Sequence, residues 1–255
     1  MISHPPLLQI KNLHKSFGGI VALAGLSFNL QAGQIKAVIG PNGAGKTTIF
    51  NLITGIYGFR DGEILLGQTR LKGLKPHQIA KLGMTRTFQN VQIFGNMTVL
   101  ENVMVGCHPR TKSEMIASAF RFPSALLEES AIKAKSMEIL KFVELDSKAH
   151  LSSQSLPFGQ QRLLEIARAL ATEPKVLLLD EPAAGLNASE TGELAQLIYK
   201  IREKGITILL VEHDMNLVME IAEEIVVLDY GEKIAEGTPE AIQNDQRVIT
   251  AYLGE

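Results

Sequence analysis

Cysteine is almost absent from this chain: Cys107 is the one thiol in 255 residues. One thiol closes no internal disulfide and builds no cysteine-ligated metal site, so a reducing compartment is the default expectation. Long apolar runs are missing too. No stretch of about 18 apolar residues occurs, so nothing in the sequence is expected to span a bilayer, and work at a membrane would mean docking on a partner. Met1 to Gln9 carries no basic segment followed by a long apolar one, so no signal peptide is expected. An excess of charge is also lacking. The net charge is −2 with Lys and Arg scattered, so no basic field marks a nucleic-acid partner. There is neither an internal repeat nor a low-complexity tract. What remains is an ordinary globular composition, 45% hydrophobic and 20% charged, in a length that suits one large domain or a domain with a lobe.

Short apolar runs alternate with helical patterns, which favours a parallel sheet with crossover helices. Ile35–Ile39 reads as a strand ending at Gly40, and Lys46–Thr54 as the helix after it. Val176–Leu179 is nearly all apolar, as in a strand covered on both faces, and Ile206–Val211 and Ile225–Leu228 read as two more. The start differs. Leu7–Phe17 and Ala22–Leu30 read as antiparallel strands turning at Gly18-Gly19, with Gly62–Leu66 as an addition to that sheet. From Val99 to about Leu145 the pattern is mostly helical, with Ala131, Ala134, Leu140 and Phe142 on the expected apolar face of one helix. His108–Arg121, polar and followed by Phe122-Pro123, reads as a loop or helical insertion. The expected organisation is a core of residues 1–88 and 172–255 with a helical lobe inserted at 89–171.

The segment Gly40-Pro41-Asn42-Gly43-Ala44-Gly45-Lys46-Thr47-Thr48 fits the phosphate-loop pattern G-x-x-x-x-G-K-[ST]. Glycines let the backbone curl so that successive N–H groups point at phosphate oxygens, and the following helix adds its positive end. Lys46 is placed to neutralise the β- and γ-phosphates, and the Thr47 hydroxyl to coordinate magnesium, which prefers hard oxygens. The plain alternative is a Gly-rich turn. Average composition produces such a match by chance in about one chain in a hundred of this length, and here a strand precedes it and a helix follows.

Val176–Leu179 runs into Asp180-Glu181-Pro182. An acid at such a strand end can hold magnesium, directly or through water, and the next one can polarise the water that attacks a γ-phosphate. Taken alone, the pair is equally an acidic loop after a buried strand. His213 follows another apolar run, at the strand end where ligands bind in open α/β sheets. It is placed to hydrogen-bond a γ-phosphate, although a lone His is more often a surface residue.

Taken in order, these residues resemble the ABC ATPase family across essentially the whole chain. The resemblance rests on Phe17, the loop Gly40–Thr48, Gln89 in Thr87-Phe88-Gln89-Asn90, Leu156-Pro157-Phe158-Gly159-Gln160-Gln161-Arg162, Asp180-Glu181, Ala184-Gly185-Leu186-Asn187 and His213. It implies an α/β fold, a P-loop NTPase (RecA-like) core with an antiparallel β subdomain and an inserted α-helical subdomain. It implies ATP and Mg2+ as ligands. Phe17 would stack on adenine, with a core Phe as the alternative. Gln89 would touch the magnesium or the attacking water and link the site to the membrane partner. Leu156–Gln160, through Phe158, Gly159 and Gln160, would cap the γ-phosphate of a second ATPase subunit, a copy or a close paralogue, in a head-to-tail dimer. Leu186 and Asn187 would sit across that dimer, and Arg162–Ala171 would form the helix behind the signature.

The signature departs from the family's usual L-S-G-G-Q. Pro157 replaces Ser and removes both a hydroxyl and an N–H, and Phe158 replaces the first Gly; Gly159 and Gln160 keep their groups. Proline suits a first helical turn, so the fold is expected to survive the change. Within the family the chain is most similar to the ATPase subunits of branched-chain amino-acid importers, on Asp180–Asn187, Leu228–Pro239, Ala251–Glu255 and the insertion around His108–Glu128. That likeness implies transmembrane permease subunits and, indirectly, a substrate-binding protein, with the chain peripheral at the cytoplasmic face of the inner membrane. Urea, amide or lipopolysaccharide systems, a soluble non-transport ABC ATPase, and a regulatory subunit without hydrolysis stay open as alternatives.

Overall fold

The computed structural model describes residues 5–107 and 123–253. The expected insertion at His108–Arg121, with Phe122, lies outside them. The chain forms two compact units, one of Met1–Arg86 with Lys175–Glu255 and one of Thr87–Pro174.

The first unit holds two sheets. β1 (Leu8–Phe17) and β2 (Ile20–Leu30) pair antiparallel, turning at Gly18-Gly19 as the sequence implied; β4 (Glu63–Leu66) adds to β1 and β5 (Thr69–Arg70) to β4. The larger sheet has the order β10-β9-β3-β8-β7-β6. In it β3 (Ile35–Ile39), β6 (Met84–Arg86), β7 (Val176–Asp180), β8 (Thr207–Val211) and β9 (Glu224–Asp229) run parallel, and β10 (Glu232–Gly237) returns antiparallel on β9. Every residue of β3, β7 and β8 is buried, as two covered faces require.

Helix α1 (Lys46–Ile53) contributes Ile49, Phe50, Leu52 and Ile53 to one apolar core that also takes Leu8, Leu23 and Ile64 from the small sheet and Val38, Leu178 and Leu209 from the large one. The remaining helices here are α2 (Pro76–Lys81), α6 (Ala188–Glu203), α7 (Met215–Ile221), α8 (Pro239–Gln243) and α9 (Gln246–Leu253). The alternating pattern implies crossover helices but gives none of these five ranges. Their starts do carry cap chemistry: Asn187 and Glu190 form a capping box on α6, Asp214 caps α7 and Thr238 caps α8.

The second unit is built on α3 (Val99–Cys107), α4 (Pro123–Phe142) and α5 (Phe158–Ala171). Gly106 lets α3 meet α5 backbone to backbone, because a Cβ there would lie 2.3 Å from the Arg168 carbonyl oxygen. Two expectations need correction. Ala131 and Ala134 of α4 are exposed, and the buried side of that helix runs through Ser136 and Leu140 instead, since the small alanines gave no firm guide to its apolar face. The helix expected over Arg162–Ala171 begins four residues earlier, at Phe158, with Pro157 at its N-cap. Proline's fixed φ and missing N–H cost nothing at that boundary. Among the described residues, no helix is long and apolar enough to cross a membrane.

Candidate functional site

Strands β3, β8 and β7 are neighbours in the sheet, and Gly40, Asp180, Glu181 and His213 lie at or just past their carboxyl ends. β3 leads into Gly40–Gly45 and then α1. Gly40 takes φ 153°, and a Cβ on it would stand 2.2 Å from the Leu228 carbonyl oxygen, so only glycine fits. The turn after β9 braces this loop: Gly231 N–H donates to the Ala44 carbonyl at 3.2 Å, while Ala24 N–H of β2 donates to the Gly231 carbonyl at 2.9 Å. No side chain caps α1, so its first-turn N–H groups face no side-chain competitor for an anion. Asn42 and Gly43 are exposed at the rim; Thr47 is exposed and Thr48 half-buried on the first turn of α1.

Lys46 is buried, and its Nζ donates to the carbonyls of Gly40 at 2.6 Å and Pro41 at 3.0 Å. Burial pulls its pKa below the ordinary lysine value, and the carboxylates of Glu181 and then Asp180 push it back up. Lys46, Glu181 and Asp180 therefore share one electrostatic site.

Asp180 ends β7, buried, and is gripped by an arginine that the sequence reading passed over. Arg86 Nη2 donates to Asp180 Oδ2 at 2.5 Å and Nη1 donates to Asn51 Oδ1 at 2.6 Å. The signal was a charge in a three-residue strand, Met84-Thr85-Arg86, that pairs with β7. Glu181 sits at φ 45°, a left-handed conformation uncommon for a residue with a Cβ, and its N–H donates to the Val211 carbonyl at 2.8 Å. Backbone strain of this kind collects at working sites.

His213 Nδ1 lies 3.7 Å from Glu181 Oε2 and 3.5 Å from Glu212 Oε2, with the ring largely exposed. Glu212 is the second residue missed. It is fully buried, and its carboxylate accepts the N–H groups of Ala183 at 2.9 Å, His213 at 2.7 Å and Asp214 at 3.1 Å. It thereby ties the loop after β7 to the loop after β8 and sets where His213 stands. An acid ending an all-apolar run was its only sequence mark.

Phe17, at the end of β1, is half-exposed and meets Tyr57 edge to face at 5.2 Å. Lys15 Nζ lies 4.8 Å from the Phe17 ring and donates to the Gly58 carbonyl at 2.7 Å. Asn187 accepts from Glu190 N–H at 3.1 Å as a helix cap. In the second unit, Leu156 is buried, Phe158 is exposed, and Gln160 Oε1 accepts from Lys148 Nζ at 2.6 Å. Gly159 is buried at the start of α5, and the Gln89 carbonyl accepts from Arg162 Nη2 at 2.8 Å. The structure thus groups the phosphate loop, Asp180, Glu181 and His213 in the first unit, and places Gln89 and Leu156–Gln160 in the second.

The family model described as "ABC transporter" matches residues 23–184, more than half of the chain. The chain belongs to the ABC transporter family. A second model, "Branched-chain amino acid ATP-binding cassette transporter", matches residues 232–255 of this ABC subunit. The high-affinity branched-chain amino acid transport ATP-binding protein BraF of Pseudomonas aeruginosa is 45% identical over 251 residues, covering 98% of each chain. Among solved structures, the ADP conformation of MJ1267, an ATP-binding cassette of an ABC transporter, superposes with a TM-score of 0.86 at 32% identity, covering 99% of this chain and 100% of that one. The dimeric structure of MJ0796, a bacterial ABC transporter cassette, does so with 0.77 at 27% identity, covering 91% and 98%. The mixed parallel sheet with its antiparallel partner is therefore the ABC ATPase fold, as the sequence implied.

The ABC fold also explains what the last residues are near. The turn at Asp229-Tyr230, Ile234 of β10, and Arg247, Thr250 and Ala251 of α9 line a cavity of about 520 Å³ together with Pro41, Asn42, Gly43 and Ala44. Tyr252 of α9 takes a hydrogen bond from the Gly40 main chain, and burial pushes its phenol up to about 12.

Proposed function

We propose that this chain binds and hydrolyses ATP as the motor subunit of an ABC importer for branched-chain or other hydrophobic amino acids, working through a separate permease. One observation carries the reading. A phosphate-loop lysine at the start of α1 and two acids at the end of β7 act on each other, in a chain 45% identical across 98% of its length to BraF. The match of residues 232–255 to the branched-chain model favours this substrate class over urea, amides or lipopolysaccharide.

In this reading the N–H groups of Gly40–Thr48 and the Lys46 ammonium hold the β- and γ-phosphates of ATP, and Phe17 offers its half-exposed face to adenine. Glu181 accepts the proton of the attacking water, and His213, set by Glu212, hydrogen-bonds the γ-phosphate. The residues present fit a magnesium ion, since the Thr47 hydroxyl and the Asp180 carboxylate are hard oxygen donors. Among the described residues no group of three or more His, Cys, Asp and Glu forms a cage, which suits a metal that keeps water and phosphate ligands. When bound it neutralises charge on the phosphates. Gln89 would serve as a further oxygen donor toward the metal or the attacking water. Phe158, Gly159 and Gln160 of a second copy or close paralogue close over the γ-phosphate in a head-to-tail dimer, a reading supported by the dimeric MJ0796 cassette. The dimer docks on permease subunits at the cytoplasmic face of the membrane, and a substrate-binding protein delivers cargo to them.

Co-expression with the permease followed by uptake of labelled leucine and competing substrates tests the assignment. Lys46→Ala is expected to bring both ATP turnover and uptake to background. Unchanged ATP turnover in that variant would remove the central claim.

A further inference from the structure

Three side chains of α5 spend their polar groups on one short piece of backbone. Arg162, Glu165 and Arg168 recur every third residue, and the first two are fully buried. Arg162 Nη1 donates to the Phe88 carbonyl at 2.8 Å and to Glu165 Oε2 at 2.9 Å; its Nη2 donates to the Gln89 carbonyl at 2.8 Å. Glu165 Oε1 accepts the N–H groups of Phe88 at 3.2 Å and Gln92 at 3.4 Å. Arg168 Nη2 donates to the Gln92 carbonyl, and its guanidinium lies 5.1 Å from the Phe94 ring. At the other end, the Arg162 guanidinium lies 6.0 Å from the ring of Phe158, in the signature segment. None of these bonds uses the side chain of Gln89.

The arrangement is costly. Burial holds the Glu165 carboxyl above its ordinary range even though Phe88, Arg162 and Gln92 all favour the charged form. Arg162 Nε is buried with no hydrogen-bond partner among the described residues. Apolar residues of similar size often replace a buried ion pair with no loss of stability, so the pair itself is weak evidence of a stabilising role. A fork and a carboxylate aimed at main-chain groups fix a loop's path whatever side chains it carries, which is how a functional side chain is preorganised.

We infer that Arg162 and Glu165 are positioning residues: they hold the backbone of residues 88–92, and with it Gln89, to the helix that begins at the signature segment. Residues 88–92 and α5 then move as one piece, and a displacement of Leu156–Gln160 is carried to Gln89 through two buried side chains. This rests on the reading of the chain as an ABC ATPase that uses Gln89.

The test is the double variant Arg162→Met/Glu165→Leu in the full chain, which removes both charges and keeps the volume. The expected result is a folded protein whose affinity for a fluorescent ATP analogue stays within about threefold of wild type. Amide exchange at Phe88 and Gln92 should quicken, and kcat for ATP should fall by about tenfold or more while KM holds. Arg162→Lys, which keeps the charge and loses the fork, should fall between. Turnover within about twofold of wild type would overturn the inference, as would a loss of turnover with exchange at Phe88 and Gln92 unaltered. Should the double variant fail to fold, Arg162→Lys and Glu165→Gln decide by the same two readouts. Failure of the broader reading looks different: wild type itself would show no ATP turnover that Lys46→Ala abolishes.

Discussion

Glu181 and Glu212 stand one strand apart, and their surroundings give them opposite characters. Glu212 accepts three main-chain N–H groups in a fully buried place, so its lone pairs are committed and its work is to hold loops. Glu181 keeps a left-handed backbone beside His213. A motif locates an acid like Glu181 because the chemistry recurs at a fixed offset from a strand. Glu212 and Arg86 are invisible to that logic, since Glu212 answers main-chain N–H groups and Arg86 reaches Asp180 and Asn51 far away in the chain. Tyr252 makes a residue-scale prediction. Its phenol is raised to about 12 by burial, so the unionised form is favoured in the fold; that contribution is complete below pH 10 and lost as pH climbs through about 12. Ultraviolet titration should show a late phenolate step that Tyr252→Phe removes. A late step that persists in Tyr252→Phe would mean that burial does not raise this phenol.

At the scale of elements, periodicity found β1, β2, β3, β7, β8 and β9 because each is apolar along its whole length or on one face. It did not fix β6, three residues long, or α9, or α6 to α8, whose capping residues Asn187, Asp214 and Thr238 lie in or beside the motif segments. In α4 the alanines pointed to the wrong face, since a methyl group gains too little from burial to dictate orientation. The close approach of α3 and α5 is also beyond periodicity: it depends on Gly106 meeting the Arg168 carbonyl oxygen. Gly106→Ala should therefore destabilise the second unit by about 1–3 kcal/mol, because helix backbone cannot yield as a flexible side chain does. Thermal unfolding followed by circular dichroism measures this, and an unchanged midpoint would show that the helices part freely.

For the molecule as a whole, the proposed cycle needs two copies. Glu181→Gln should bind ATP, stall hydrolysis and run as a dimer in analytical ultracentrifugation only when ATP is present. Adding Pro157→Ser should strengthen that dimer, because a hydroxyl and an N–H return beside the γ-phosphate. Normal turnover in Glu181→Gln, or ATP-independent behaviour of the double variant, would contradict the roles proposed for Glu181 and the signature.

The sequence by itself determined the family and the α/β class, because the phosphate loop, the acid pair and the signature each depend on residues near one another in the chain. It also placed Asp180, Glu181 and His213 at strand ends and Lys46 at the start of the helix after one, since short-range pattern and chain order suffice for that. Only the tertiary structure decided that Arg86 grips Asp180, that Glu212 orients His213, and that Arg162 and Glu165 hold residues 88–92. Those contacts join residues 94, 74 and 77 positions apart, or answer backbone groups that carry no sequence signal, and burial sets their strength.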